Sequence, residues 1–266
     1  MSVYHKEDPN FLLQAVTSIW DSQTLKPNEI VLVKDGPLTP ELDLKINDLK
    51  EKLIDKLILV ELPENVGLGR ALNIGLENCR YEIVARMDTD DIAHKDRFEK
   101  QLKFLELNQD ISLLGSYISE FELSPDNLVS QKKVPLTHDK ILNFSKTRNP
   151  FNHPSVMYRK VDVINAGSYQ DCYGMEDYYL WVRLLVNGVK TANLDESLVS
   201  MRAGMEMLSR RKGFRYAIQE FKFQLLLLNL KHITKAKAII NLLLRVPPRL
   251  LPSSFLKVVY KIMRRG

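Results

Sequence analysis

Tyr81-Glu82-Ile83-Val84-Ala85-Arg86-Met87-Asp88-Thr89-Asp90-Asp91 decides how the chain is read. A strand is expected over Tyr81–Met87, and it runs straight into three carboxylates within four residues. Such a cluster repels itself and is costly to bury, so it is stable when exposed or when a cation neutralises it. All-oxygen donors suit Mg²⁺ or Mn²⁺, and an ion held by one or two carboxylates keeps open positions for phosphate oxygens. The stretch therefore points to a metal-dependent enzyme that handles a diphosphate. The plainer reading is an Asp-rich turn before the helix that begins near Asp96.

The regions around this stretch alternate between strand and helix. A short strand ends at Val3-Tyr4, a helix runs from Asn10 to Asp21, and Ile30–Val33 forms a buried strand turned by Lys34-Asp35-Gly36-Pro37. Leu42–Leu53 is helical, Lys56–Leu62 is a strand, and Gly67 and Gly69 precede a helix from Arg70 to Cys79. After the aspartates come a helix over Arg97–Leu107 and a strand over Ile111–Phe121. This order predicts an α/β fold with a mostly parallel, Rossmann-like sheet and flanking helices. Ligands in such folds bind at the carboxyl ends of the strands, where Asp35 and Asp88–Asp91 both fall. Further on, strands are expected at Gln131–Pro135, Ser155–Tyr158 and Ala192–Met201, and helices at Asp139–Thr147, Asp162–Ala166 and Glu176–Asn187.

The 266 residues suffice for one large domain with a tail. Two distant cysteines, Cys79 and Cys172, make no metal or redox spacing and suit a reducing compartment. No signal-peptide core opens the sequence, and no apolar run nears the ~20 residues that span a bilayer. Charge is unevenly placed. From Arg210 onward 14 Lys or Arg face the single acid Glu220, a net +13, which leaves −8 for the rest within the total of +5. In this segment apolar residues (Phe221, Phe223, Leu225–Leu228, Ile239, Ile240, Leu242–Leu244, Phe255, Val258, Ile262) share helices with lysines and arginines. Pro247-Pro248 and Pro252 are expected to break the helical pattern. Basic residues beside an apolar stripe favour an anionic membrane surface, with docking on the domain as the alternative. Nucleic acid is not expected as a partner, because aromatic interleaving and any binding motif are missing.

Read together, these motifs resemble family 2 glycosyltransferases. They are Ser2-Val3-Tyr4, Glu29–Val33 with Asp35-Gly36, Asn65-Val66-Gly67-Leu68-Gly69-Arg70, Met87–Asp91, Asn152-His153-Pro154-Ser155 and Glu176-Asp177-Tyr178-Tyr179-Leu180-Trp181. The resemblance implies a GT-A fold over residues 1–209 and an inverting transfer from a UDP-sugar, with a basic helical tail over 210–266. It further implies that Tyr4, Asp35, Arg70, Asp88 and Arg202 bind the nucleotide sugar and that Asp90, joined by Asp91, binds Mn²⁺ or Mg²⁺. Asp177 matches the family's general base, and Glu176 is the other candidate. Both acids also suit a plain helix N-terminus. His153 and Trp181 are placed at the acceptor, although a structural histidine and a core tryptophan remain open. Met201-Arg202-Ala203-Gly204 carries no histidine, so a third protein ligand from that loop is in doubt. The first strand is shorter than in relatives, so either the edge is short or the start is late.

The resemblance and the basic tail together imply a bacterial enzyme of surface polysaccharide assembly, such as O-antigen. It would sit peripherally on the cytoplasmic face of the inner membrane and add galactose or glucose in β linkage to a lipid-diphosphate-linked sugar, undecaprenyl-diphosphate GlcNAc. A nucleotidyltransferase and a non-catalytic docking module are the alternatives.

Overall fold

The computed structural model describes residues 1–122, 124–125, 127–202 and 213–250. A parallel sheet of β1 (Ser2–Val3), β2 (Ile30–Lys34) and β3 (Leu57–Glu61) opens the chain, with β2 in the middle. Around it lie α1 (Pro9–Trp20), α2 (Pro40–Leu53) and α3 (Leu68–Asn78). Local chemistry starts these helices. Asp8 caps α1 by accepting the Asn10 and Phe11 N–H groups, and Pro9 occupies its first position. Thr39 and Pro40 repeat this arrangement at α2. Leu12, Val16 and Ile19 of α1 meet Leu32 of β2 and Leu42, Ile46 and Leu49 of α2 in one buried cluster. Each such side chain contributes about 1.5–3 kcal/mol.

A second, mixed sheet contains β4 (Ile83–Ala85), β5 (Ile92–Ala93), β6 (Ile111–Phe121), β8 (Met157–Arg159) and β9 (Lys190–Arg202), in the order β4-β8-β6-β9-β5, and β7 (Leu128–Lys132) pairs with β6. Here β6 and β9 run parallel and the other pairings are antiparallel. The α/β reading with a parallel sheet and flanking helices holds, and the wholly parallel part is the β1-β2-β3 sheet. Helices α4 (Arg97–Leu107), α5 (His138–Phe144), α6 (Lys160–Asn165) and α7 (Glu176–Val186) complete this half. The strand expected at Gln131–Pro135 lies earlier in the chain, at β7, and the one expected at Ser155–Tyr158 starts at Met157 after a 3-10 turn over His153–Ser155. A cavity of about 370 Å³ is lined by Ile30 and Val31 of β2, Ile83 and Val84 of β4, and Met157.

Two last helices, α8 (Gly213–Asn229) and α9 (Lys235–Leu250), form a hairpin. One face of it shares a core with α7: Tyr178, Tyr179 and Val182 pack with Tyr216, Phe223, Leu227, Ile233 and Ala238. The expected break at Pro247-Pro248 does not occur, since α9 continues through both prolines to Leu250. They sit in its last turn, where the N–H bonds they forfeit would have gone to the carbonyls of the exposed Leu243 and Leu244, which water can satisfy. Pro252 and the Phe255–Met263 stripe lie outside the described residues.

Candidate active site

The carboxyl ends of β1, β2 and β4 converge. Tyr4 follows β1, and its carbonyl accepts the Glu7 N–H at 3.0 Å. Asp35, at the end of β2, is 3% exposed. Its carboxylate accepts Val66 N–H at 2.7 Å, Gly67 N–H at 3.2 Å and the Asn65 amide at 3.1 Å. It therefore fixes the loop that leads into α3. Gly36 makes this approach possible: at φ +86°, an added Cβ would lie 2.6 Å from the Asn65 nitrogen. Arg70, in the first turn of α3, is exposed and pairs with Asp171 at 2.8 Å. An added Cβ on Gly69 would meet the Glu176 side chain at 3.5 Å, so the start of α3 lies beside the start of α7.

The three aspartates occupy different environments. Asp88 pairs with the buried Arg86, whose guanidinium also donates to the Met87 carbonyl. Burial works against the Asp88 carboxylate, but Arg86 and His153 outweigh it and hold its pKa below the usual range. Among the described residues Asp90 has no cation paired to it. Burial, then Asp88 and Glu7, push its pKa up to about 7. Asp91 is 2% exposed, and its Oδ1 accepts the Arg202 N–H at 2.9 Å. Burial and the two neighbouring acids raise its pKa well above the carboxylate range. Its contact closes the loop onto the end of β9.

Arg202 itself sits over the Phe11 ring at 3.6 Å, and donates to the Asp90 carbonyl at 3.2 Å and the Gln14 side chain at 3.0 Å. Beneath the loop the fully buried Arg97 donates to the Arg86 carbonyl at 2.6 Å and to Gln101 at 3.1 Å. Burial, with Arg86 adding to it, lowers its pKa to about 9. Arg86, Arg97 and Glu7, which takes the Thr89 hydroxyl, were not singled out from the sequence. Arg86 carried a signal there, as a charge set between the apolar run Ile83–Ala85 and Met87.

His153 links this cluster to α7. It interacts electrostatically with both Asp88 and Asp177, and its ring nitrogen lies 2.9 Å from the Tyr169 hydroxyl. Burial and Arg86 lower its pKa. Asp177 opens α7, where the Asn149 amide donates to its Oδ2 at 2.7 Å. Glu176 accepts the Gly174 N–H at 3.1 Å, and burial raises its pKa. Of these two acids, Asp177 is the one electrostatically linked to His153. Trp181 is completely buried among Phe151, His153 and Tyr169, so it supports this wall from within the core and offers no face to a sugar. The structure thus brings Asp88, Asp90, His153, Glu176 and Asp177 around one edge of the fold. Asp35, Asp91 and Trp181 lie buried behind it.

Among the described residues no three His, Cys, Asp or Glu side chains form a ready metal cage. Asp88 and Asp90 instead suit an ion that takes most of its shell from a bound diphosphate.

Known proteins resemble this chain in sequence and in fold. Residues 1–167 match the family model described as Glycosyl transferase family 2. The chain is 40% identical over 266 residues to the UDP-Gal:alpha-D-GlcNAc-diphosphoundecaprenol beta-1,3-galactosyltransferase of Escherichia coli, covering 100% of this chain and 95% of that one. It is also 40% identical over 266 residues to the amylovoran biosynthesis glycosyltransferase AmsE of Erwinia amylovora, covering 100% and 98%. Among solved structures it resembles the mannosyltransferase PcManGT from Pyrobaculum calidifontis in complex with GDP-Man and Mn²⁺, with a TM-score of 0.61 at 14% identity over 100% of this chain and 79% of that one. That likeness is one of fold, and it agrees with the GT-A architecture expected from the motifs. The chain belongs to glycosyl transferase family 2 and is a glycosyltransferase.

Proposed function

We propose that the protein transfers a hexose, galactose or glucose, from a UDP-sugar to an undecaprenyl-diphosphate-linked GlcNAc, in β linkage and with inversion. The observation that carries this reading is His153, whose ring lies 6.1 Å from that of Trp181 on α7 and which feels the charges of both Asp88 and Asp177. A donor diphosphate at Asp88 and Asp90 would leave its sugar facing Asp177. The carboxylate of Asp177 takes the proton of the acceptor hydroxyl as that oxygen attacks the anomeric carbon. The bond from this carbon to the β-phosphate oxygen breaks, and its electron pair leaves with UDP. Tyr4, Asp35 and Arg70 border the nucleotide side, and Arg202 pins the aspartate loop. A bound Mn²⁺ or Mg²⁺, held by Asp90 with Asp88 beside it, would neutralise the departing diphosphate. The donor and acceptor are supported by the name of the Escherichia coli relative.

The test is UDP release with a panel of UDP-sugars and a synthetic GlcNAc-diphosphate-lipid. Acceptor-dependent transfer from one hexose donor is expected. Equal transfer to a soluble protein acceptor would overturn the lipid assignment.

The acceptor's lipid places the reaction at a membrane, and the hairpin suits that surface. No helix among the described residues is long and apolar enough to cross a bilayer. Yet α9 leaves Ile239, Ile240, Leu243 and Leu244 between 48% and 68% exposed, and α8 leaves Phe214, Ile218, Phe221 and Leu225 between 41% and 74% exposed. These residues fall on one stripe of each helix, opposite the side packed on α7. Arg215, Lys222, Lys231 and Lys235 are exposed on the same hairpin. An apolar stripe with basic neighbours fits an anionic leaflet of the cytoplasmic membrane face. Vesicles containing phosphatidylglycerol should co-float the protein and pure phosphatidylcholine vesicles should not. Replacing Leu243 and Leu244 by Asp should cut binding about tenfold or more. Dimerisation that covers this face, with no vesicle binding, would overturn the membrane assignment.

A further inference from the structure

The buried side of the same hairpin is polar where packing alone would favour hydrocarbon. Glu220, the lone acid of the basic segment, is fully buried and pairs with Arg245 at 3.1 Å. Gln224 donates to Glu220 at 3.2 Å, and Asn241 donates to Gln224 at 2.9 Å. Removing such groups from water is expensive, and apolar residues of similar volume commonly do as well or better for stability. The network therefore calls for a second role, and its outputs show one.

Three consecutive carbonyls after α5 are each held from outside their own segment. Ser145 accepts the Tyr178 hydroxyl at 2.6 Å, Lys146 accepts the Asn241 amide at 2.9 Å, and Thr147 accepts Arg245 at 3.3 Å. The Ser145 side chain adds a contact to His232 at 2.9 Å. Two residues beyond Thr147, the Asn149 side chain donates to Asp177 Oδ2 at 2.7 Å, while its Oδ1 accepts the Phe151 N–H at 3.2 Å. The Asn149 amide is thus held from behind and aimed at the carboxylate. Tyr178, next to Asp177 in the chain, packs its ring 4.6 Å from that of Phe223 on α8.

We propose that Asn149 is the positioning residue of the base, and that the α8–α9 hairpin sets it through Asn241 and Arg245. This rests on Asp177 being the base. The Asn149 amide on Oδ2 and the Tyr178 N–H on Oδ1, both at 2.7 Å, hold the carboxylate from two sides and fix the direction in which it faces the acceptor hydroxyl. The same α9 that shows Leu243 and Leu244 to the outside holds Thr147 with Arg245 on the inside, so surface docking and base placement share one helix.

The experiment measures kcat, acceptor KM and donor KM for the full chain and for Asn149→Ala, Asn149→Asp, Arg245→Met, Arg245→Lys and Asp177→Asn. Thermal unfolding with and without UDP is followed alongside. Asn149→Ala should lower kcat about tenfold, with donor KM unchanged. Asn149→Asp sets a second carboxylate against the first and should lower kcat further. Arg245→Met should lower kcat in the same way by less, and Arg245→Lys should recover part of the loss.

An unchanged kcat in both Asn149 variants, while Asp177→Asn is inactive, overturns the proposal and leaves the base assignment standing. An unchanged kcat in Arg245→Met with only a lower unfolding temperature removes the hairpin from it. Full turnover in Asp177→Asn overturns the base assignment and the proposal together.

Discussion

Asp177→Asn is expected to lower kcat about 10³-fold while leaving the KM for the UDP-sugar within about twofold. General-base catalysis contributes ~10²–10⁴, and the amide has nearly the shape of the carboxylate. The substitution removes proton affinity and one acceptor: the new amide oxygen can still take the Tyr178 N–H, while the Asn149 amide loses its partner. The helix start keeps its Glu176 contact to Gly174. UDP binding should survive, because the aspartate loop and the Asp35 loop lie on other strands. A loss of kcat and kcat/KM in equal proportion would mark an interaction made only in the transition state. Glu176→Gln separates the two candidates. Its carboxylate already accepts the Gly174 N–H, and burial raises its pKa. That variant should lose much less than Asp177→Asn. A reversed ranking, read from initial rates with a saturating donor, would move the base to Glu176.

How much of this could be read from the chain depends on how local each signal is. Asp35 was legible because a buried apolar run ending in a carboxylate places it at the edge of a parallel sheet, and Asp88–Asp91 because the apolar run Ile83–Ala85 leads into carboxylates, although that strand belongs to the mixed sheet and pairs antiparallel with β8. Glu176 and Asp177 were legible because acids suit the first turn of α7. What such local signals could not reveal is what each carboxylate binds. Asp35 is taken up by Asn65, Val66 and Gly67, and Asp91 by Arg202, 111 residues away. Periodicity put Trp181 on the apolar face of its helix, but only the packing of Phe151 and Tyr169 against it removes it from the acceptor side.

The missed residues share one property: their partners are remote. Arg97 reads as an ordinary first-turn residue until its donors are seen on Arg86 and Gln101. Asn149 sits in a Pro-flanked loop and reaches 28 residues forward to Asp177. Glu220 is the exception, since a single acid within a net +13 segment hinted at a buried partner. Pro247-Pro248 misled for the opposite reason. Proline in a helix is costly in the interior, but a last turn exposed to water tolerates it.

Asp90→Ala should abolish transfer, by about 10³-fold or more, without lowering the stability of the metal-free protein. The carboxylate is partly buried, with Asp88 and Glu7 facing it and no cation among the described residues paired to it, which is why its pKa rises to about 7. In the absence of a cation it is a source of repulsion, and an alanine relieves that. The functional loss has the same origin. Asp88 is neutralised by Arg86, and Asp91 is taken by the Arg202 N–H, so Asp90 is the carboxylate of the cluster left to hold a cation. Removing it leaves the departing diphosphate charge uncompensated, a stabilisation worth several kcal/mol when a metal supplies it. The neighbouring variants should behave differently. Asp91→Ala strips a buried acceptor from the Arg202 N–H and should lower the unfolding temperature together with activity. Asp88→Ala leaves the buried Arg86 without its carboxylate, an unpaired buried charge that costs ~3–5 kcal/mol. Calorimetry of Mn²⁺ with UDP, paired with thermal unfolding, separates the three. A stable Asp90→Ala that no longer binds Mn²⁺ in the presence of UDP places the cation on Asp90. One that still binds Mn²⁺ with UDP and still transfers sugar moves the cation elsewhere.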